Sequence, residues 1–350
     1  INNINPKKEV EIIPYVMAFV EKHEREPDNP FATGTAYGYN AGVDGKVAVT
    51  NDLTLNYTIN PDFGQVEADP SAVNLTAYEI FFREQRPFFV EGNTIYDYPL
   101  ADGGSAGRDN LFYSRRIGRR PHYSPDLEDG QFSRVNDFSR ILAALKLSGK
   151  TQNGWSIGVM EALTNKEEMV IEEEGVRTRR DAEPMTNYFK TRIRKDFNRG
   201  NTVLGGMVTA TNRFLRDTTI DYLPEAAYTW GLDFTTFWRE RAYYFKTVLG
   251  FSHVSGSTAS MTWLQESPRR FFQRPDADHL SVDTALTSLF GNGGSVEGGK
   301  SGKGNWRYGG RVSWRSPKLE LNDMGFLRSA DIVDQSAWLR YEIFTPVGIF

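Results

Sequence analysis

Apolar and polar residues alternate along most of this chain with a period of two. Val43, Gly45, Val47 and Val49 alternate with Asp44, Lys46, Ala48 and Thr50. A turn at Asn51-Asp52 follows, and Leu53, Leu55, Tyr57 and Ile59 then alternate with Thr54, Asn56, Thr58 and Asn60. Successive strand side chains point to opposite faces, so this run predicts a hairpin with one apolar and one polar side. The pattern recurs at 141–147 with 155–159, at 188–197 with 202–212, and at 228–238 with 243–251. Further strands are expected at 9–20, 31–41, 258–265, 280–290, 305–315 and 337–345, about thirteen in all.

Many of these runs approach ten residues, the length a tilted strand needs to cross a bilayer, whereas soluble strands average nearer six. Tight turns alternate with longer polar or glycine-rich connections such as 213–225 and 291–304. Trp230 and Trp238 fall toward opposite ends of one predicted strand on one face, and Trp306 and Trp314 do so in another. Two membrane-interface girdles would place aromatics this way. The pattern predicts an all-β fold, an antiparallel transmembrane β-barrel of long hairpin-connected strands. A β-sandwich with aromatic strand ends is the alternative.

Residues 61–136 break the alternation. Pro61 ends a strand because it donates no ladder hydrogen bond. Thr76-Ala77-Tyr78-Glu79 has the spacing of a capping box and predicts a short helix over 77–85. The expected organisation is therefore first barrel strands over 1–60, a lumenal or capping insert over 61–136, and barrel hairpins over 137–350.

Composition narrows the function classes. The 350 residues carry a net charge of −4 and no cysteine. There is no global basic field for nucleic acid, no zinc-thiolate site and no cysteine nucleophile. Mean hydropathy is −0.50, and no apolar run reaches the ~18 residues of a spanning helix. An alternating barrel has an unremarkable mean hydropathy, so neither value bears on it. The 46 aromatic and 32 glycine residues fit a barrel. The chain begins at Ile1 without a methionine, and bacterial single-chain barrels have even strand numbers. A piece of a longer, processed protein with strands beyond residue 350 is the expectation.

Gly294 to Ser301 matches GxxxxGK[ST] formally, but an alternating strand follows it where a phosphate loop needs a helix, so no nucleotide is expected. Asp62, Glu67, Asp69, Glu79, Glu84 and Glu91 form an acidic set. Asp62, Glu67 and Asp69 are candidate cation ligands, calcium being the ion their oxygens would accept. Arg115, Arg116, Arg119 and Arg120 follow closely. Their forks suit carboxylates or phosphates, and the expected network joins them to Asp62, Glu67, Asp69 and Glu91. His23, His122, His253 and His279 show no metal or triad spacing, and no catalytic residue is assigned.

Several runs taken together resemble a known family. They are Asn60-Pro61-Asp62-Phe63-Gly64-Gln65-Val66-Glu67-Ala68-Asp69-Pro70, Arg86-Pro87-Phe88-Phe89-Val90-Glu91-Gly92, Tyr113-Ser114-Arg115-Arg116-Ile117-Gly118-Arg119, Gln273-Arg274-Pro275-Asp276-Ala277-Asp278-His279 and Asn322-Asp323-Met324-Gly325-Phe326-Leu327. The likeness is to a bacterial cell-envelope family, widespread in the Bacteroidota, whose C-terminal region is a domain of unknown function. The resemblance covers about residue 30 onward. It implies an outer-membrane barrel of a Gram-negative bacterium and brings no catalytic residues. Many members carry a family-9-type carbohydrate-binding module ahead of this region. That module is absent from these residues, so sugar binding is not assigned to them.

The reading is a passive channel, or a barrel that docks or handles a solute, with glycan-derived material the expected class. Its partners would be outer-membrane lipid, a glycan or other envelope proteins, with neither nucleic acid nor nucleotide. The alternatives are a non-transporting barrel subunit of a larger envelope complex, and a carbohydrate-active enzyme or carbohydrate-binding protein.

Overall fold

The computed structural model describes residues 9–61, 78–101 and 109–344. Chain order begins with β1 (Val10–Lys22), β2 (Thr35–Ala48) and β3 (Leu53–Ile59), then α1 (Pro87–Val90) and α2 (Asn93–Tyr96). It continues with β4 (Pro99–Ala101), β5 (Asp109–Asn110), β6 (Gln131–Arg134), β7 (Ile141–Lys150), β8 (Trp155–Thr164), β9 (Glu167–Glu173) and β10 (Val176–Glu183). Next are β11 (Thr186–Phe197), β12 (Thr202–Arg213), β13 (Ala226–Trp238), β14 (Tyr243–Ser255), α3 (Thr258–Glu266), β15 (Ser288–Lys300), β16 (Trp306–Arg315) and β17 (Ile332–Tyr341).

Twelve strands form one antiparallel sheet in the order β1-β2-β3-β7-β8-β11-β12-β13-β14-β15-β16-β17. The sheet is open: among the described residues β1 and β17 each pair on one side only. Every neighbouring pair is antiparallel, so the two rims are unlike. One rim carries the short turns 49–52, 151–154, 198–201, 239–242 and 301–305. The other carries every long excursion: 23–34, the passage from Ile59 to Ile141, and 165–185, 214–225, 256–287 and 316–331. Among these, β6, β9 and β10 form a small sheet of their own.

The two faces of the sheet are inverted relative to a soluble protein. Leu145, Ile193, Leu204, Val208, Leu232, Val296, Val312 and Leu339 lie exposed on the outer face, Leu232 at 59% and Leu339 at 69%. The inner face buries Thr58, Lys146, Lys190, Arg192, Thr209, Thr211 and Ser252. What covers these polar groups is the described chain between β3 and β7, together with 316–331. Tyr96, Tyr98, Leu100, Leu111 and Ile117 pack with Ala144, Met160, Ala162, Tyr188 and Met207 of the wall and with Leu319, Leu321 and Met324.

Glycines on the inner face make this close approach possible. A Cβ at Gly158 would overlap the Tyr96 ring, one at Gly231 would meet Tyr98, and one at Gly250 would meet Leu100. Each tyrosine then reaches the wall backbone. The Tyr96 hydroxyl donates to the Leu147 carbonyl at 2.9 Å, and that of Tyr98 to Leu249 at 2.7 Å. A buried phenol needs such a partner, so aromatic burial and hydrogen bonding fix the same position.

Four expectations from sequence are corrected. Residues 78–86 are not helical. The Glu84 carboxylate accepts from the backbone N–H groups of Gln85 and Arg86, and helix begins only after them, at α1, where Pro87 opens it. Residues 258–265 are α3 rather than a strand. Ser257 caps the helix by accepting from the Ser260 N–H, and buried Met261 and Leu264 follow the three-residue spacing of a helix face. The glycine-rich 291–304 is mostly strand, because Gly291 and Gly293 admit Leu319 against the sheet instead of making a loop. The runs at 31–41 and 43–49 are one strand, β2.

Gly158→Val is expected to lower stability by about 1–3 kcal/mol through overpacking against Tyr96. Gly206→Ala, which faces outward with Leu232 at ordinary contact distance, should be nearly neutral. Unfolding midpoints of the two variants in detergent check this, and equal midpoints would remove the glycine-socket account.

Candidate functional site

The described part of the insert is held by charge as well as by rings. A 3-10 turn at Ser114–Arg116 delivers Arg116 into the interior. Its guanidinium forks onto Glu79 at 2.6 and 2.8 Å, donates through Nε to the Gly325 carbonyl at 2.9 Å, and reaches Asn322 Oδ1 at 3.0 Å. Arg269, from the connection after α3, donates to the same carboxylate at 3.1 Å. Glu84 accepts from Arg86 Nε at 2.9 Å and Nη2 at 2.7 Å, and from Ser114 Oγ at 2.5 Å. Arg86 spends its other donors on the carbonyls of Ile117 and Ser114.

A second set ties the wall to what covers it. Arg315 of β16 pairs with Asp109 of β5 and, at 2.8 Å, with Asp334. Arg213 of β12 pairs with Asp323 at 2.6 Å. Lys146 of β7 donates to the carbonyls of Phe88 and Glu91. Arg192 of β11 pairs with Asp233 at 2.5 Å while its guanidinium lies 4.7 Å from the Tyr98 ring centroid. Buried Arg270 pairs with buried Glu320.

Burial alone would raise the carboxyl pKa values of Glu79, Glu84 and Glu320. The adjoining arginines outweigh it and hold all three below the usual range, Glu320 at about 2. Asp109 differs: burial outweighs Arg315 and pulls it up. Groups held ionised by an arginine are poor proton donors, so Glu79, Glu84 and Glu320 fit fastening rather than general acid chemistry.

The residues singled out from sequence are dispersed. Asp62, Glu67 and Asp69 lie outside the described residues. Arg116 is the centre of the Glu79 cluster. Arg115 donates through Nε to the Arg83 carbonyl at 3.1 Å. Arg119 is half-buried, and burial, with Arg116 beside it, pulls its pKa down. Arg120 is exposed. Glu91 is not with the arginines: it pairs with Lys46 at 2.6 Å and accepts from Asn56 at 3.0 Å, both wall residues. Among the described residues no three acidic or histidine side chains converge as a metal group. Trp230, Trp238, Trp306 and Trp314 all stand on the outer face. Trp238 and Trp306 are at the short-turn rim, and Trp230 and Trp314 lie nearer the long-excursion rim. Arg213, Arg270, Arg315, Asp109 and Glu320 were not read from the sequence. Asn322 and Asp323 were, but only as part of a quoted run with no role attached.

His122 also has a defined place. Glu183 accepts from its backbone N–H at 3.0 Å and, being ionised, from its Nδ1–H at 2.5 Å. Burial, helped by the like charge of Arg119, lowers the His122 pKa to about 4 and outweighs Glu183. The folded state keeps this ring neutral while an unfolded chain protonates it near 6.5. Its contribution is therefore full above pH 6.5 and is lost as pH falls toward 4, on the order of 3 kcal/mol in total. Denaturant midpoints at pH 7.5, 6 and 5 should fall for the native chain and fall less for His122→Gln. Parallel pH profiles would overturn this assignment.

Among the described residues no helix is long and apolar enough to cross a membrane, a fact that does not bear on strands. No curated protein sequence matches the chain. Among solved structures, the in-vitro folded outer-membrane protein OmpT of Vibrio cholerae is similar over 95% of this chain and 97% of its own, at 8% identity and a TM-score of 0.30. OmpT expressed in the outer membrane gives 10% identity over the same shares, also at 0.30. A loop L8 deletion mutant gives 8% identity over 88% of this chain and 93% of its own, at 0.27. A family model matches residues 6–350, and the chain belongs to that family, the domain of unknown function DUF5916.

Proposed function

We propose that this chain forms wall and plug of an outer-membrane β-barrel that docks a solute at its loop-rich mouth, passage requiring the plug to move. The observation that carries this is the inverted sheet: an apolar outer face on strands of up to 14 residues, and a polar inner face buried by the chain's own insert. Trp230 and Trp238 are eight residues apart, about 26 Å along the strand. At a tilt of ~40° that projects to about 20 Å, close to the ~25 Å apolar band of outer-membrane barrels. Short turns on one rim and long excursions on the other agree with the same architecture.

The plug sets the mechanism. Tyr96, Tyr98 and Leu100 sit against the wall itself, and Arg315–Asp109 and Arg213–Asp323 bridge wall to cover. An open pore of the porin kind is not the expectation; a closed, docking barrel is. A glycan-derived solute remains the class proposed for the mouth. Hydrolysis is not part of the proposal, because Glu79, Glu84 and Glu320 are each held by arginine.

The native chain should fractionate with membranes, show heat-modifiable gel mobility and conduct little in a planar bilayer. Arg116→Ala leaves Glu79 and Asn322 without their central donor and should loosen the plug and raise conductance, with the heat-modifiable band retained. Unchanged conductance in a folded variant would favour a non-transporting barrel subunit, and a chain that stays soluble without detergent would end the barrel reading.

A further inference from the structure

The short-turn rim has a basic cavity on the outward side of the wall. Its volume is about 360 Å³, and it is lined by Arg239, Glu240, Ala242, Tyr243, Lys300 and Lys303. Taking the barrel reading above as its basis, we propose that this cavity binds the phosphate of an anionic glycerophospholipid from the adjoining leaflet.

Three observations converge on it. Charge comes first: three cations face one carboxylate, and Lys303 engages that carboxylate, Glu240, at 2.5 Å. Among the described residues neither Arg239 nor Lys300 is ion-paired with a carboxylate, and they lie 5.7 and 5.9 Å from the Tyr243 ring centroid.

The setting comes second. Tyr243 pairs across the ladder with Lys300, and Lys300 with Tyr308. Trp238 stacks on Tyr243 at 5.8 Å, and Trp306 meets Tyr341 at 4.9 Å. The cations thus stand at the end of an outward aromatic shelf. Aromatic rings of that kind rest at headgroup depth, and lysine and arginine reach past them to lipid phosphate.

The backbone comes third. Arg239, Glu240 and Arg241 are consecutive residues with φ of 51°, 58° and 64°. Three of the other short turns place glycine at a left-handed position, Gly154, Gly200 and Gly304. Three non-glycine residues in a row is the costlier choice. Two of them, Arg239 and Glu240, are the ones whose side chains line the cavity.

The formal phosphate-loop match ends here, at Lys300-Ser301. Its backbone is a strand running into a hairpin, with no helix N-terminus to present N–H groups to a polyphosphate. What the segment contributes is one cation at the rim, which suits a single phosphate at the membrane surface.

The test uses the full chain in phosphatidylcholine vesicles containing either brominated phosphatidylglycerol or brominated phosphatidylcholine, read by tryptophan quenching. Phosphatidylglycerol should quench the native chain more strongly at equal mole fraction. Arg239→Asn combined with Lys300→Gln and Lys303→Gln should abolish that preference, each lost charge weakening it about fivefold, while phosphatidylcholine quenching and heat-modifiable mobility persist. Arg239→Asn alone should reduce the preference yet leave the unfolding midpoint equal or higher, since asparagine tolerates the left-handed turn; a purely structural arginine would lower it. Equal quenching by the two lipids in the native chain, or a preference that survives the triple substitution, overturns the proposal. So does loss of the preference on adding inorganic phosphate or ATP, which would make this a soluble-anion site. Quenching by neither lipid defeats the barrel reading itself.

Discussion

Buried arginine on the wall is the constraint from which the rest of the fold follows. The outer face takes the apolar residues, so the inner face is left with Lys146, Lys190, Arg192, Arg213 and Arg315, all buried. A guanidinium removed from water needs carboxylate or carbonyl partners, and leaving one unpaired costs about 3–5 kcal/mol. Another wall strand supplies some, as Asp233 of β13 does across β12 for Arg192 of β11. Asp109 and Asp323, together with the carbonyls of Phe88 and Glu91, come from the covering segments instead. The wall is therefore incomplete without its plug. Buried pairs of this kind add little net stability over an apolar contact. Their consequence here is register: Arg315, already paired with Asp334 of β17, gains Asp109 only when β5 lies against β16.

Size complementarity acts on the same surface and in the same direction. Gly158, Gly231 and Gly250 lie on three different strands, and each admits one side chain from a short stretch of the insert, Tyr96 to Leu100. Glycine in a strand loses packing and costs backbone entropy. The cost is offset where an aromatic ring fills the space and its hydroxyl finds a wall carbonyl, as Tyr96 and Tyr98 do. Segments with many buried apolar contacts and satisfied polar groups belong to the high-stability end of a native protein. A plug so fastened opens as a unit or through its less packed margins, not residue by residue.

The hairpins were legible because period two is a local property. Val43 to Ile59 and Tyr188 to Asn212 needed no knowledge of what lay across the lumen. Failures came where local pattern and long-range packing diverge. Glycines at 291 and 293 read as loop because sequence does not reveal Leu319 arriving on top of them. Ala259, Met261 and Trp263 fit alternation while Met261 and Leu264 fit a helix, and in so short a run the decision fell to the Ser257 cap. The capping-box spacing from Thr76 to Glu79 predicted a helix, yet Glu79 serves Arg116 and Arg269 and the chain at 78–86 stays irregular. The arginine run was expected to meet Asp62, Glu67, Asp69 and Glu91; the first three lie outside the described residues, Arg116 meets Glu79, and Glu91, placed in the network on proximity in sequence alone, pairs with Lys46. Asp109–Arg315 and Glu320–Arg270 join residues 206 and 50 positions apart, and no spacing rule connects them.

The two rims divide the work that the sheet alone could not. An antiparallel meander with every long connection on one side concentrates irregular chain, and with it the buried charge network, toward that mouth. The opposite rim is left with tight turns whose side chains have nothing to cover. Charged residues there pair only with exposed neighbours of the same rim, as Lys303 does with Glu240, or face the surroundings, so Arg239, Lys300 and Lys303 are free of the fastening role that occupies Arg116 and Arg213. Arginine and lysine consequently do two different things in one chain, and the difference follows from which rim the meander delivers them to. At the covered mouth a cation is matched by the chain's own carboxylates and holds a shape. On the outward side of the bare rim it stands above an aromatic shelf, where the chain supplies fewer carboxylates than cations and the balance falls to the surroundings.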